Sequence, residues 1–250
     1  MRSRLVTAVL LLVLLPFAPP GRGEERVSLA TLNWAPYVGK DLPHLGFTSE
    51  IVRRAFERAG YSVEISFMPW ARVLRRVARG ASDAMYPAYR SPERARTFAL
   101  SDPFAWSYLV FYKRVEAEIG YTRLRDLQGH RIGVVRGYVN SPAFDRADYL
   151  LKEPTDSDES NLRKLLRGRI DLAVIDLHTA RYLLQNRLPR GVGRLEPLEP
   201  PLQVKPLYLG VSREVPGYRA VVADFNRSIA GMSAEGVLEE IRSRHGVGAP

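Results

Sequence analysis

The sequence predicts an α/β protein made of two α/β units. Three observations carry this. Strand-like and helix-like segments alternate from residue 27 to residue 244. The alternation breaks near residue 91 and restarts near residue 124. A late strand followed by two helices closes the chain, as though it returns to the first unit.

In the first unit, residues 27–32 are apolar with β-branched members and predict a strand. Over 48–59 the apolar positions Ile51, Val52, Ala55, Phe56 and Ala59 share one helical face, and Gly60 stops the helix. Thr48 or Ser49 is placed to cap its start, with Glu50 favourable in the first turn. Residues 61–67 alternate as a strand. Pro69 opens a helix with Val73, Leu74, Val77 and Ala78 on one face, Gly80 follows, and 83–86 is a third short strand. A β-α-β-α-β order implies a parallel sheet flanked by helices. Ser91-Pro92-Glu93-Arg94 then starts a turn or helix, 98–104 reads as a loop, and 107–113 is a strand that leaves the unit.

The second unit opens with Leu124-Arg125-Asp126-Leu127-Gln128-Gly129 and a strand over 131–135. A loop and helix fill 137–151, a helix spans 160–166 up to Gly168, a strand spans 172–175 and a helix 177–186. Prolines 197, 200, 201 and 206 mark a loop before a strand over 207–211. Helices over 218–232 and 234–244 complete the chain.

Composition removes several functions. With 46% apolar and 26% charged residues, wholesale disorder is excluded. The absence of cysteine excludes disulfides, thiolate metal sites and a cysteine nucleophile. No metal-ligand spacing and no Gly-x-Ser-x-Gly elbow occurs, and His44, His130, His178 and His245 show no paired arrangement with a second catalytic group. No metal, no cofactor and no catalytic role are expected. The net charge of +10 raises nucleic acid, an anionic membrane or an acidic ligand as partners. The arginines are spread along the chain with no basic stripe interleaved with aromatics, so nucleic acid is not expected.

Residues 1–23 read as a secretory signal peptide. Arg2 and Arg4 precede an apolar run of 11 residues from Leu5 to Leu15, Pro16 breaks it, and Gly21-Arg22-Gly23 supplies small residues for cleavage before Glu24. Eleven residues are too few to span a bilayer. The expectation is a periplasmic protein with no membrane insertion of the mature chain, whose charge falls to +7 because the leader carries three arginines and no acid.

Four segments, in order, resemble one family, the bacterial extracellular solute-binding proteins of the polar-amino-acid type, family 3. They are Pro36-Tyr37 with Gly46-Phe47-Thr48-Ser49-Glu50-Ile51; Ser91-Pro92-Glu93-Arg94 with the run from Phe98 to Phe104; residues 124–135; and Gly168-Arg169-Ile170-Asp171-Leu172-Ala173-Val174-Ile175-Asp176. The resemblance covers nearly the whole mature chain. It implies a periplasmic-binding-protein-like fold of type II, with two α/β lobes joined by two hinge strands near 110–113 and 206–211. One lobe would comprise 24–112 and 206–250, the other 113–205. It further implies capture of a small polar, amino-acid-like or carboxylate-bearing molecule between the lobes, delivery to a membrane ABC permease, and a monomer.

The resemblance also assigns roles. Arg94, the arginine of Ser-Pro-Glu-Arg, would hold a ligand carboxylate, for which a planar guanidinium offers two parallel donors. Against it stands an ordinary solvated helix arginine. Asp176 matches the acid that pairs with a ligand ammonium, and it is also placed to cap the next helix. Trp34 and Trp70 fall where the family stacks aromatics on the ligand, against simple core packing. The loop Arg136-Gly137-Tyr138-Val139-Asn140-Ser141 stands where the family aims backbone N–H groups at an anion, so Arg136 and Tyr138 join the candidates, as does Tyr37 of the Pro-aromatic pair. The chain departs from the family over Pro87-Ala88-Tyr89-Arg90, where small residues are replaced. Tyr89 would fill the pocket, unless Tyr86 does. The implied ligand is an α-amino acid, with another small anion or a zwitterion as the alternative. Two rival functions remain: a periplasmic sensor for a membrane signalling partner, and a cyclohexadienyl-dehydratase-like enzyme on the same scaffold.

Overall fold

The computed structural model describes residues 25–247; the leader expected over 1–23 lies outside them. Among the described residues, ten strands and eight α-helices alternate. Strand β1 (Glu25–Thr31) is followed by α1 (Phe47–Arg58), β2 (Tyr61–Phe67), α2 (Trp70–Ala78), β3 (Ala84–Ala88), α3 (Pro92–Thr97) and β4 (Phe98–Leu100). Next come β5 (Ala105–Arg114), β6 (Arg131–Val135), α4 (Pro142–Asp145), β7 (Leu151–Thr155), α5 (Asp158–Leu166), β8 (Leu172–Asp176) and α6 (Leu177–Asn186). The chain ends with β9 (Leu195–Pro197), β10 (Gln203–Ser212), α7 (Tyr218–Ala234) and α8 (Val237–Arg244).

The pairing runs β2-β1-β3-β10-β5-β8-β6-β7. Strands β1, β2 and β3 are parallel, as are β6, β7 and β8, while β5 and β10 pair antiparallel in the middle. Strand β10 joins the two groups: Gln203 to Leu207 pair with β5, and Tyr208 to Ser212 pair with β3 and β4. The register shifts between Tyr208 and Gly210. A Cβ at Gly210 would stand 2.9 Å from the Met85 side chain, so a glycine lets β10 lie close on β3.

Each parallel group is covered on both faces, as parallel sheets require. In the first, Val27 and Leu29 pack with Ile51, Val52, Ala55 and Phe56 of α1, the residues read from the sequence, while Ala30 and Met85 pack with Val73 and Val77 of α2. In the second, Ile175 packs with Leu162, Leu165 and Leu184, and Val174 with Ile132 and Phe144.

Helix α1 corrects one sequence expectation. Neither Thr48 nor Ser49 caps it. It starts at Phe47 behind Gly46, and both hydroxyls donate to carbonyls, Thr48 to Tyr37 and Ser49 to Leu45. Glu50 is buried and receives Arg244 and His245 from the end of the chain at 2.5 and 2.8 Å, with Arg54 at 2.8 Å. Burial alone would raise its carboxyl. The His245 hydrogen bond and the arginine charges override this and hold it below the usual range. Strands β4, β7 and β9 lie where no strand is predicted.

Candidate functional site

The site is built from the loop ends of both groups. Tyr37 follows β1 and is fully buried. Gly46 fixes its backbone. At a φ of 93°, a Cβ there would fall 2.5 Å from the Tyr37 carbonyl oxygen, which instead accepts from the Thr48 N–H and hydroxyl at 3.0 and 2.7 Å. This gives the Pro36-Tyr37 and Gly46-Phe47 segments one physical purpose: they lock against each other and aim the phenol. The Tyr37 ring stacks on Trp34 at 4.2 Å, and its hydroxyl donates to Asp176 across the molecule at 2.8 Å.

Asp176 ends β8 and caps α6. One oxygen accepts from the Thr179 N–H at 2.9 Å. The other accepts from the hydroxyls of Tyr37 and Ser107, each at 2.8 Å, and from the Tyr108 N–H at 3.0 Å. Both sequence readings of Asp176 concern this one carboxylate, and the cap is realised. The side chain is buried, with both oxygens occupied by protein donors. A further bond across the molecule, Thr179 hydroxyl to Ala35 carbonyl at 3.2 Å, accompanies it.

Arg94 lies in α3, which Ser91 caps by accepting from the Arg94 N–H at 3.1 Å. Its guanidinium lies 5.3 Å from the centre of the Trp70 ring and donates to the Tyr89 carbonyl at 2.8 Å. It is half-buried, and burial lowers its pKa. Tyr89, where the family has small residues, stands between Arg94 and Asp176. Its hydroxyl donates to Ser107 at 3.0 Å, and Ser107 donates to Asp176. Its ring meets Trp34 edge-on at 5.9 Å. Tyr86 is fully buried and donates to Ser49, so it points into the core.

Arg94 and Tyr89 open onto a cleft of ≈ 1070 Å³, lined also by Val139 and Asn140 of the loop after β6 and by Gln203 and Lys205 of β10. Asp176, Trp34, Tyr37 and Trp70 stand behind this wall rather than on it. Tyr138 is exposed on the same loop, and Arg136 points outward, 3.6 Å from Asp156.

Sequence reasoning missed three residues here. Ser107 links Tyr89 to Asp176. Lys205 donates to the Val139 carbonyl at 2.9 Å and sits 4.9 Å from the centre of the Tyr89 ring. Asp158, in the first turn of α5, has its carboxyl pushed up to about 7 by burial and by the charge of Asp176. None carries a local signal, because each acquires its role through a partner far away in the chain. Among the described residues, no group of three His, Cys, Asp or Glu is placed to hold a metal ion, and no helix is long and apolar enough to cross a membrane.

Two α/β groups joined through paired β5 and β10, with a polar cleft beside the junction, define a type II periplasmic-binding-protein-like fold. The chain belongs to the bacterial extracellular solute-binding proteins, family 3, whose family model matches residues 29–248. No curated protein matches it. Among solved structures, it is similar to an amino acid ABC transporter substrate-binding protein, AbpA, from Streptococcus pneumoniae bound to L-arginine. The identity is 16% and the TM-score 0.68, over 88% of this chain and 94% of that one. It is similar to the GluR0 ligand-binding core from Nostoc punctiforme in complex with L-glutamate, at 16% identity and TM-score 0.68, over 88% and 99%. It is also similar to a histidine kinase sensor domain with similarity to periplasmic binding proteins, at 22% identity and TM-score 0.71, over 91% and 99%. These likenesses concern the fold. The family and these neighbours are binding proteins.

Proposed function

We propose that this is a periplasmic solute-binding protein, not an enzyme. Its lobes, residues 24–112 with 206–250 and residues 113–205, close on a small carboxylate-bearing molecule at Arg94, which the protein hands to a membrane ABC permease. One observation carries the reading. The half-buried Arg94 guanidinium, held against Trp70, satisfies one neutral carbonyl and forms no ion pair among the described residues. Of its five donors, those left over are pre-positioned for an oxyanion.

The experiment is a thermal-shift screen of the mature chain against amino acids, opines, small dicarboxylates and polyamines, since a ligand bound only by the folded form raises Tm. Arg94→Ala should weaken the best binder by about 2–5 kcal/mol. Unchanged affinity in that variant would remove Arg94 from the site, and silence across the library would defeat the binding-protein reading.

The similarity to a histidine kinase sensor domain favours a second reading, a free-standing sensor that reports the bound molecule to a membrane kinase. Cross-linking of the ligand-loaded protein in membranes separates the two: a permease partner supports uptake, a kinase partner signalling.

A further inference from the structure

We infer that the cleft takes a doubly anionic small molecule bearing a hydroxyl or amine, with one acid group on Arg94 and the other on Lys205. The inference rests on the solute-binding reading above and adds the ligand's class and a second anchoring residue.

Lys205 is half-buried on β10, and burial lowers its pKa. An ammonium removed from water is normally compensated by an acid. Lys205 has instead one neutral oxygen, that of Val139, and the face of the Tyr89 ring. Neither it nor Arg94 forms an ion pair among the described residues. No acid pairs with either cation: Asp145 acts on Lys205 through its charge only and accepts from the Asn140 N–H and amide at 3.1 and 3.3 Å, and Glu93, which lines the same cleft beside Arg94, forms no ion pair among the described residues. The two cations line the same cleft with Tyr89 between them, so one small molecule can meet both.

The rest of the wall agrees. Arg75 and Arg90 also line the cleft without ion pairs among the described residues and add to its positive potential. On the wall itself Arg75, Arg90, Arg94 and Lys205 face a single acid, Glu93, while Asp176 is not among the lining residues and the raised Asp158 carboxyl is partly protonated at neutral pH. Gln203, two residues from Lys205 on the same wall, has a buried side-chain oxygen with no partner. That acceptor calls for a ligand O–H or N–H.

The test is calorimetric titration of the parent and two variants, Lys205→Gln and Lys205→Arg, with L-malate against L-glutamine, butyrate and L-arginine. The parent should bind a dianion at least about tenfold more tightly than the monoanion, the neutral amide and the cation. Lys205→Gln should lose about 10–100-fold for the dianion while changing butyrate less than about twofold, and Lys205→Arg should recover most of the loss. Melting curves of both variants confirm that they fold. Equal or tighter binding of butyrate, L-glutamine or L-arginine, or a Lys205→Gln variant with parental dianion affinity, overturns the inference and leaves the binding-protein reading intact. No binding of any probe overturns both.

Discussion

Replacing Tyr37 by phenylalanine removes a hydroxyl that bonds to Asp176 between the two α/β groups at 2.8 Å and also lies 3.2 Å from the Trp106 carbonyl. The Tyr37 ring is fully buried and stacked on Trp34 at 4.2 Å, so phenylalanine keeps the packing and removes only the hydroxyl. That hydroxyl is a dependable donor. Burial, and then the charge and hydrogen bond of Asp176, raise its pKa well above 10, so it stays protonated across the working pH range. A hydrogen bond to a charged group contributes about 1.5–3 kcal/mol. Asp176 keeps three other donors in the variant, from Ser107, Tyr108 and Thr179, which places the loss near the lower end, about 1.5–2 kcal/mol. For a chain of this size that corresponds to a fall in Tm of roughly 3–8 °C. Urea unfolding of the parent, Tyr37→Phe, Asp176→Asn and the double variant gives the coupling energy directly. An unchanged Tm in Tyr37→Phe, or a coupling near zero, would refute the assignment of Tyr37 and Asp176 as a bond that helps to join the groups.

Two further outcomes follow from buried polar groups. The raised Asp158 carboxyl lies above its unfolded value near 4, so its ionisation costs stability that is absent below about pH 4 and grows as pH rises through 7. After allowance for solvent access, Asp158→Asn should be about 2 kcal/mol more stable than the parent near pH 8.5 and equal to it near pH 4, as read from melting curves across pH. A constant difference at all pH values would show that Asp158 does not titrate this way. Asn161 of α5 is fully buried with both amide atoms unpartnered. Asn161→Leu, of the same branching but bulkier, or the smaller Asn161→Val should gain about 1–2 kcal/mol in urea unfolding, and a loss in both would mean that the amide has a partner.

The fold was legible wherever burial imposes a period. Helix α1 shows its stripe because Ile51, Val52, Ala55 and Phe56 all face one sheet, and β2, β6 and α6 fall where the pattern puts them. Strand β7 was not legible. It is an edge strand with Leu151 exposed and Pro154 in its run, and an edge tolerates both. Strands β4 and β9 have three residues each, too few to show a period. Helix α5 begins at Asp158, two residues before the start expected at 160, because Ser157 caps it. At the candidate site, the expectation for Arg94 comes from a motif within its own segment. The partners of Asp176 were not legible, since Tyr37 and Ser107 lie 139 and 69 residues away. Lys205 sits among prolines and gains its position only when β10 crosses between the groups.

The two expected anchors differ in how much of their bonding capacity the protein itself consumes, and that difference bears on what the cleft selects. A carboxylate offers about four lone-pair sites, and Asp176 already accepts four donors. At the oxygen that holds Tyr37, Ser107 and Tyr108, a ligand ammonium would have to displace bonds to a charged group at about 1.5–3 kcal/mol each; the other oxygen already caps α6 through the Thr179 N–H. Displacing Tyr37 would also release one of the bonds that tie the α/β groups together. An acid arriving at Arg94 displaces only water, because most of the guanidinium donors are uncommitted. On the proposed reading, discrimination falls on the wall where Arg75, Arg90, Arg94 and Lys205 outnumber the one acid, Glu93. A cationic ligand would then be disfavoured by charge before its apolar part is fitted, with Asp176 bracing the α/β groups and the bases recognising the ligand.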